Sequence, residues 1–170
     1  MKLTSEELRG WLTLVGSGLD RRQVMRLLEQ AADPREFLDA TDRELRERFR
    51  LSPPSIERLR RRPTDKQLDQ QLALLERHGI ELVPVSDPLF PRNLFSMRVP
   101  PPAIFLKGTL EDFDCLAVGI VGPRSPTHYG RDVTKRLARD FAPNMTIVSG
   151  AAMGIDSVAH EAALEAGGRT

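Results

Sequence analysis

Disulfide and thiolate-metal chemistry are the first things this sequence excludes, because it has a single cysteine, Cys115. One cysteine forms no internal disulfide and makes no cysteine-rich zinc centre. Cys115 reads as a small buried strand residue. Aromatic residues are also scarce, with one tryptophan, Trp11, and one tyrosine, Tyr129. No apolar run approaches the ~20 residues that cross a membrane. The first ten residues include Glu6 and Glu7 and have no apolar core, so they do not read as a secretory leader. The expectation is a cytoplasmic protein with no membrane partner. Excess charge is missing as well. The net charge is +1, and residues 1–63, 64–110 and 111–170 carry +3, 0 and −2. No segment has the strongly basic balance of a duplex-DNA binder, so any nucleic-acid site must be local. There is no Walker A lysine motif, no complete Gly-x-Gly-x-x-Gly fingerprint and no zinc spacing, and no cofactor is expected.

What is present is organised around residues 115–160. Cys115 to Val121 is a short apolar, β-branched run bounded by glycine, as in a buried parallel strand. Gly122-Pro123-Arg124-Ser125-Pro126 neither continues a strand nor begins a helix, so it is a loop. Val133, Leu137 and Phe141 then recur at helical spacing and form the expected inward stripe. Met145 to Val148 is a second strand, Ser149-Gly150 a second loop, and residues 157–166 a second helix. Such a βαβα unit is right-handed and binds ligands at the carboxyl ends of its strands. Both glycine loops lie there and lead into helix amino termini, which favour anions.

The first 63 residues read as short helices. Thr4 with Glu7 and Thr41 with Glu44 have capping-box spacing, and Asp33-Pro34 is an N-cap followed by proline. Leu8, Trp11, Leu12 and Val15 make one apolar stripe, and Asp20 caps the next helix. Val15-Gly16-Ser17-Gly18-Leu19 reads first as a tight interhelical turn and second as a phosphate-holding hairpin. The run Arg58, Arg60, Arg61, Arg62 reads equally as a nucleic-acid contact or a solvated helix end. Beyond Pro63-Thr64 a longer helix reaches His78 and stops at Gly79. Strands over 80–85 and 104–106 are expected beside the central sheet.

Several of these stretches carry a resemblance in their order and spacing. They are Asp87-Pro88-Leu89-Phe90-Pro91, Pro101-Pro102-Ala103-Ile104-Phe105-Leu106-Lys107-Gly108, Val121-Gly122-Pro123-Arg124 with Thr127-His128-Tyr129-Gly130, and Ser149-Gly150-Ala151-Ala152-Met153-Gly154-Ile155-Asp156 with Ala159-His160. Together they resemble the DNA processing protein A (Smf) family over nearly the whole chain. The resemblance implies an α/β fold class: an incomplete Rossmann-like parallel sheet over residues 64–170, preceded by a small all-helical domain of the sterile-alpha-motif (SAM) or helix-hairpin-helix kind over residues 1–63. It also implies a non-enzymatic, cytoplasmic protein of natural transformation that binds single-stranded DNA, helps load the RecA recombinase and forms a homodimer when full length. Two departures stand out. Pro123 replaces the serine of the family's Gly-Ser-Arg and removes a backbone N–H. The chain also stops at Thr170, where the family begins another central strand, which reads as a fragment or a decayed copy.

The expected DNA-binding residues are Gly122, Arg124, Ser149, Gly150, Ala151 and Gly154. Arg124 supplies a planar fork suited to phosphate. The serine and glycines let hydroxyl and backbone approach an anion. Asp156 is the expected N-cap of the following helix. Tyr129 is a secondary candidate for stacking on a base. A second class is a nucleotide-binding enzyme or sensor of the nucleoside-monophosphate phosphoribohydrolase type. It would hold a 5′-phosphate in the same loops, but it needs a catalytic glutamate motif that no stretch before Thr170 supplies. His128 and His160 have no nucleophile or paired carboxylate to work with.

Overall fold

The computed structural model describes residues 3–170, so Met1 and Lys2 of the N-terminal reading lie outside the described residues. The chain is mixed α/β, with two small sheets. Its internal contacts divide it into two compact units, residues 1–109 and 110–170.

The first unit begins with helices whose ends are written locally. α1 (Ser5–Gly16), α2 (Arg21–Gln30), α4 (Asp42–Glu47) and α6 (Asp65–His78) each open with a reciprocal capping box, at Thr4/Glu7, Asp20/Gln23, Thr41/Glu44 and Thr64/Gln67. α3 (Pro34–Leu38) and α5 (Pro53–Arg60) open with proline, whose missing N–H has no partner to lose there. Gly79 ends α6 in the left-handed region.

These helices share a core made by Trp11, Leu14, Leu27, Phe37, Leu45, Phe49, Ile56 and Leu59, which extends to Leu68 and Leu82. The inward face of α1 differs from the expected stripe: Leu14 is fully buried and Val15 is 40% exposed. Gly10 explains the rotation. A Cβ there would meet Arg35 and Pro34, so α3 packs on the Gly10–Leu14 side of α1.

Strands β1 (Ile80–Pro84) and β2 (Ala103–Lys107) pair antiparallel with each other, from Ile80 opposite Lys107 to Pro84 opposite Ala103. They therefore make a separate two-stranded sheet, where the sequence suggested additions to the central one. A 3-10 helix over Arg92–Ser96 lies between them.

The second unit runs β3 (Ala117–Gly119), α7 (His128–Phe141), β4 (Thr146–Val148) and α8 (Ile155–Glu165). β3 and β4 pair in parallel, Ala117 opposite Thr146 and Gly119 opposite Val148. Thr146 donates its N–H to Leu116 and Val148 accepts from Ile120, so both face the β3 side. Ile147 faces the other way, donating its N–H to the Arg169 carbonyl at 2.9 Å. β4 is thus flanked on one side by β3 and on the other by the last residues of the chain.

Three expectations change here. Cys115 is exposed and closes a 3-10 turn over Asp112–Cys115 rather than lying buried in a strand. Val133, Leu137 and Phe141 are each more than a third exposed, while Thr134, Ala138 and Ala142 are buried. Small residues win this face because α7 packs on α8, where Ala159, Ala162 and Ala163 are also buried. Alanines on both helices permit a close approach that Leu and Phe would prevent. Finally, α8 begins at Ile155 with Gly154 as its N-cap, so Asp156 lies inside the first turn.

Candidate nucleic-acid interface

The two loops at the carboxyl ends of β3 and β4 are locked to each other. Ile155, the first residue of α8, donates its N–H to the Pro123 carbonyl at 3.2 Å. Gly154 has φ +94°, and a Cβ there would sit 2.4 Å from the Pro123 oxygen and 2.5 Å from the Arg124 oxygen. Gly122 is equally constrained, since a Cβ would fall 2.6–2.9 Å from the Ile155 side chain. Gly122, Pro123, Arg124 and Gly154 therefore form one knot, and both glycines are required by close approach of the chain.

Arg124 projects from this knot. It is exposed, and its guanidinium makes no ion pair or hydrogen bond among the described residues. The loop then enters α7 through Thr127, whose hydroxyl accepts the Gly130 N–H at 3.1 Å. The first turn of α7 contains no acidic residue, so its positive end is uncompensated.

The second loop is built differently. The Ser149 hydroxyl donates to the Ile120 carbonyl at 2.6 Å and ties the ends of the two strands together. Ala151 has φ +54°, a conformation that costs a non-glycine residue about 1–2 kcal/mol. Ala152 donates its N–H to the Asp156 carboxylate at 3.4 Å, and its carbonyl accepts both the N–H and the hydroxyl of Ser157. Gly150 lies so near that a Cβ would be 2.9 Å from an Asp156 oxygen. The N–H groups of Ala152, Ile155, Ser157 and Val158 are thus satisfied within the protein, around a buried carboxylate. Of the two helix starts, that of α7 is the one with no carboxylate in its first turn.

Large apolar side chains stand on the same loops as Arg124. Val121, Tyr129 and Met153 are 82%, 79% and 76% exposed, the three most exposed large hydrophobic residues among those described. Sequence periodicity missed Val121, which reads as the end of a strand, and Met153, which reads as part of a turn. All three stand on the two loops or at the start of α7.

Of the other basic candidates, three of the four arginines in the 58–62 run are already engaged. Arg60 donates to Asp42 and to the carbonyls of Leu38 and Ala40, Arg61 pairs with Glu57 at 2.6 Å, and Arg62 pairs with Asp39 at 3.3 Å. In the turn Val15–Leu19 the Ser17 hydroxyl donates to the Leu14 carbonyl and accepts the Leu19 N–H. Arg58 is exposed and its side chain makes no hydrogen bond or ion pair among the described residues, and the Val15–Leu19 segment is built as a tight interhelical turn. His160 shares a hydrogen bond with the Thr170 hydroxyl through Nδ1. No group of three His, Cys, Asp or Glu that could hold a metal occurs among the described residues, and none of their helices is long and apolar enough to cross a membrane.

At the opposite, amino end of β4 lies a feature that sequence reading passed over. Arg169 donates bidentately to Asp114, Nε to Oδ1 at 2.6 Å and Nη2 to Oδ2 at 2.8 Å, and reaches Glu111 at 3.1 Å. The Thr146 hydroxyl also donates to Asp114. The Arg169 donors, foremost, hold the Asp114 carboxyl far below the usual carboxylate range, helped by the Glu111 N–H and Thr146. Fifty-five residues separate the partners, so no local pattern announces the pair.

Comparison with known proteins places this loop pair in context. Residues 81–170 match the family model for DNA recombination-mediator protein A. The chain belongs to this family. The DNA processing protein DprA of Bacillus subtilis (strain 168) is 39% identical over 108 residues, which cover 61% of this chain and 35% of that protein. DprA of Streptococcus pneumoniae (strain ATCC BAA-255 / R6) is 28% identical over the whole chain and 57% of its own length. The X-ray structure of DNA processing protein A from Streptococcus pneumoniae superposes with a TM-score of 0.70 at 27% identity, covering 99% of this chain and 56% of that one. The chain thus spans between about a third and just over half the length of these relatives. The recombination-mediator match contains both loops and all of the second unit.

Proposed function

We propose that this chain carries the DNA-binding part of a recombination mediator that grips single-stranded DNA across the loops after β3 and β4. The observation that carries this reading is the exposed, unpaired guanidinium of Arg124, held on a knot of two loops that Gly122 and Gly154 make rigid. A phosphate meets the Arg124 fork and the open start of α7. Val121, Tyr129 and Met153 offer apolar and aromatic surface to the bases of an unpaired strand. Backbone contact of this kind selects strand form rather than sequence. Gly122, Gly154, Gly150 and Ala151 shape the loops, and Ser149 joins their roots.

In this reading the β3–α7–β4–α8 unit is the start of a Rossmann-like sheet within residues 64–170, and residues 1–63 are a SAM-like accessory domain. The protein is a binding protein, not an enzyme, and works in the cytoplasm with the RecA recombinase, as a homodimer when full length. Membership of the recombination-mediator family supports this assignment.

The test is a fluorescence-anisotropy titration of the chain with labelled oligo-dT at two salt concentrations. Binding should weaken as salt rises, and Arg124→Glu should reduce affinity at least tenfold by replacing a phosphate contact with a like charge. Unchanged binding by folded Arg124→Glu rejects the site. Displacement by a nucleoside monophosphate as effective as that by the oligonucleotide rejects the strand-binding reading in favour of a nucleotide pocket.

A further inference from the structure

Seven of the sixteen arginines of the first unit, Arg9, Arg35, Arg43, Arg48, Arg60, Arg61 and Arg62, are tied into ion pairs. One group is not. Arg21, Arg22 and Arg98 line a groove of about 580 Å³ together with Asp20, Met97 and Val99. All three arginines are exposed. Arg22 and Arg98 make no hydrogen bond or ion pair among the described residues, and Arg21 makes one contact, Nη1–H to the Val99 carbonyl at 3.4 Å.

Asp20 does not neutralise the group. It is the N-cap of α2, and its carboxylate accepts the Gln23 N–H at 2.9 Å. The groove therefore carries three cationic forks against one carboxylate, which also caps the positive end of α2 and leaves two arginine charges uncancelled. Met97 is 43% exposed and gives the groove an apolar wall.

We propose that Arg21, Arg22 and Arg98 form a second nucleic-acid site, one that holds the phosphates of an unpaired strand while Met97 packs against a base. The site is distinct in its residues from the Arg124 loops and is built wholly within the first unit. Three features point to a nucleic acid rather than an acidic peptide. The cations are all arginine, whose planar fork matches phosphate oxygens in pairs. An apolar side chain, Met97, stands beside them and can pack against the face of a base. The chain belongs to a recombination-mediator family. The glycine turn Val15–Leu19 leads into the start of α2 and so helps to position the groove, with its Ser17 hydroxyl and Leu19 N–H engaged within the turn.

The test is an oligo-dT anisotropy titration of the full chain over a salt series. It compares the wild type, Arg22→Gln/Arg98→Gln, and Arg61→Gln/Arg62→Gln, a pair that removes the same charge from engaged residues. Neither Arg22 nor Arg98 makes a side-chain hydrogen bond or ion pair among the described residues, so the first variant should keep the wild-type far-UV circular dichroism and melting curve. It should bind about tenfold more weakly, with a salt slope lower by about one to two, whereas the control should stay within about twofold of wild type. Arg22→Lys/Arg98→Lys should restore the salt slope and part of the affinity.

Wild-type affinity in Arg22→Gln/Arg98→Gln, or an equal loss in the control, overturns the proposal. Displacement of the oligonucleotide by poly-glutamate at equal charge overturns the nucleic-acid assignment. Arg124→Glu run in parallel separates the two sites. Loss there with no effect at Arg22 and Arg98 leaves the loop site standing and removes the groove, and the reverse pattern does the opposite. No binding by folded wild type removes both.

Discussion

Gly154 is the residue on which the candidate interface turns. It combines a left-handed φ with carbonyl oxygens on the side where a Cβ would stand. Gly154→Ala should destabilise the second unit by about 2–4 kcal/mol, through backbone strain and the displaced loop. Chemical denaturation followed by circular dichroism measures this. Arg124 can be replaced at little cost to stability, because its side chain is exposed and makes no hydrogen bond or ion pair among the described residues, so its substitution should change binding alone. Asp114 is the converse, a charged residue with a structural role. Its pKa is lower in the folded chain than the ordinary 3.8, so its ionised form stabilises the fold above that value. The contribution is lost as pH falls below about 4 toward the depressed folded value. Asp114→Asn should cost about 1–3 kcal/mol at neutral pH, the worth of hydrogen bonds to a charged group. It should also flatten the acid limb of the stability curve. Asp33, Glu7 and Glu44 have lowered pKa values too, so the diagnostic quantity is the difference between variant and wild-type curves from pH 2 to 6.

At the scale of elements, helix ends obey short-range rules and helix faces do not. The capping boxes of α1, α2, α4 and α6 each close within three residues, so a reader of the sequence finds most of them. The buried face of α7 was misread because amphipathic spacing favours Val133, Leu137 and Phe141, while α8 demands small residues opposite its own alanines. That packing makes a prediction. Ala159→Leu should overpack the α7–α8 contact and cost about 1–3 kcal/mol, whereas Leu137→Ala should cost well under 1 kcal/mol. Thermal melts of the two variants compare the faces directly. The start of α8 was displaced for a related reason. Asp156 has a capping residue's chemistry, but the tight passage at Gly154 fixes where the helix begins, leaving the carboxylate to hold Ala152 and crowd Gly150.

Across the whole molecule, each unit has its own buried cluster, that of the first unit around Phe37 and Leu59 and that of the second around Ile147 and Ala159. Trp11 is buried in the first cluster and is the only tryptophan, so its fluorescence reports the first unit alone. In urea, Gly154→Ala should shift the circular-dichroism transition while the Trp11 transition stays near its wild-type midpoint, as expected for units with separate cores. Coincident shifts of both probes would show a single cooperative unit. The sequence by itself determined the features decided within a few residues: the helix caps, the proline starts, the glycine stops, the strand–loop–helix order of the second unit and the position of Arg124 after β3. These are legible because their energies arise between near neighbours in the chain. Only the tertiary structure decided that the Arg60–Arg62 run is engaged while Arg22 and Arg98 are not, that the Ser149 hydroxyl holds a strand rather than standing open, that α7 buries alanine and exposes phenylalanine, and that Arg169 clamps Asp114. Each of these depends on which distant groups folding brings within hydrogen-bonding or van der Waals range, and sequence spacing carries no record of that.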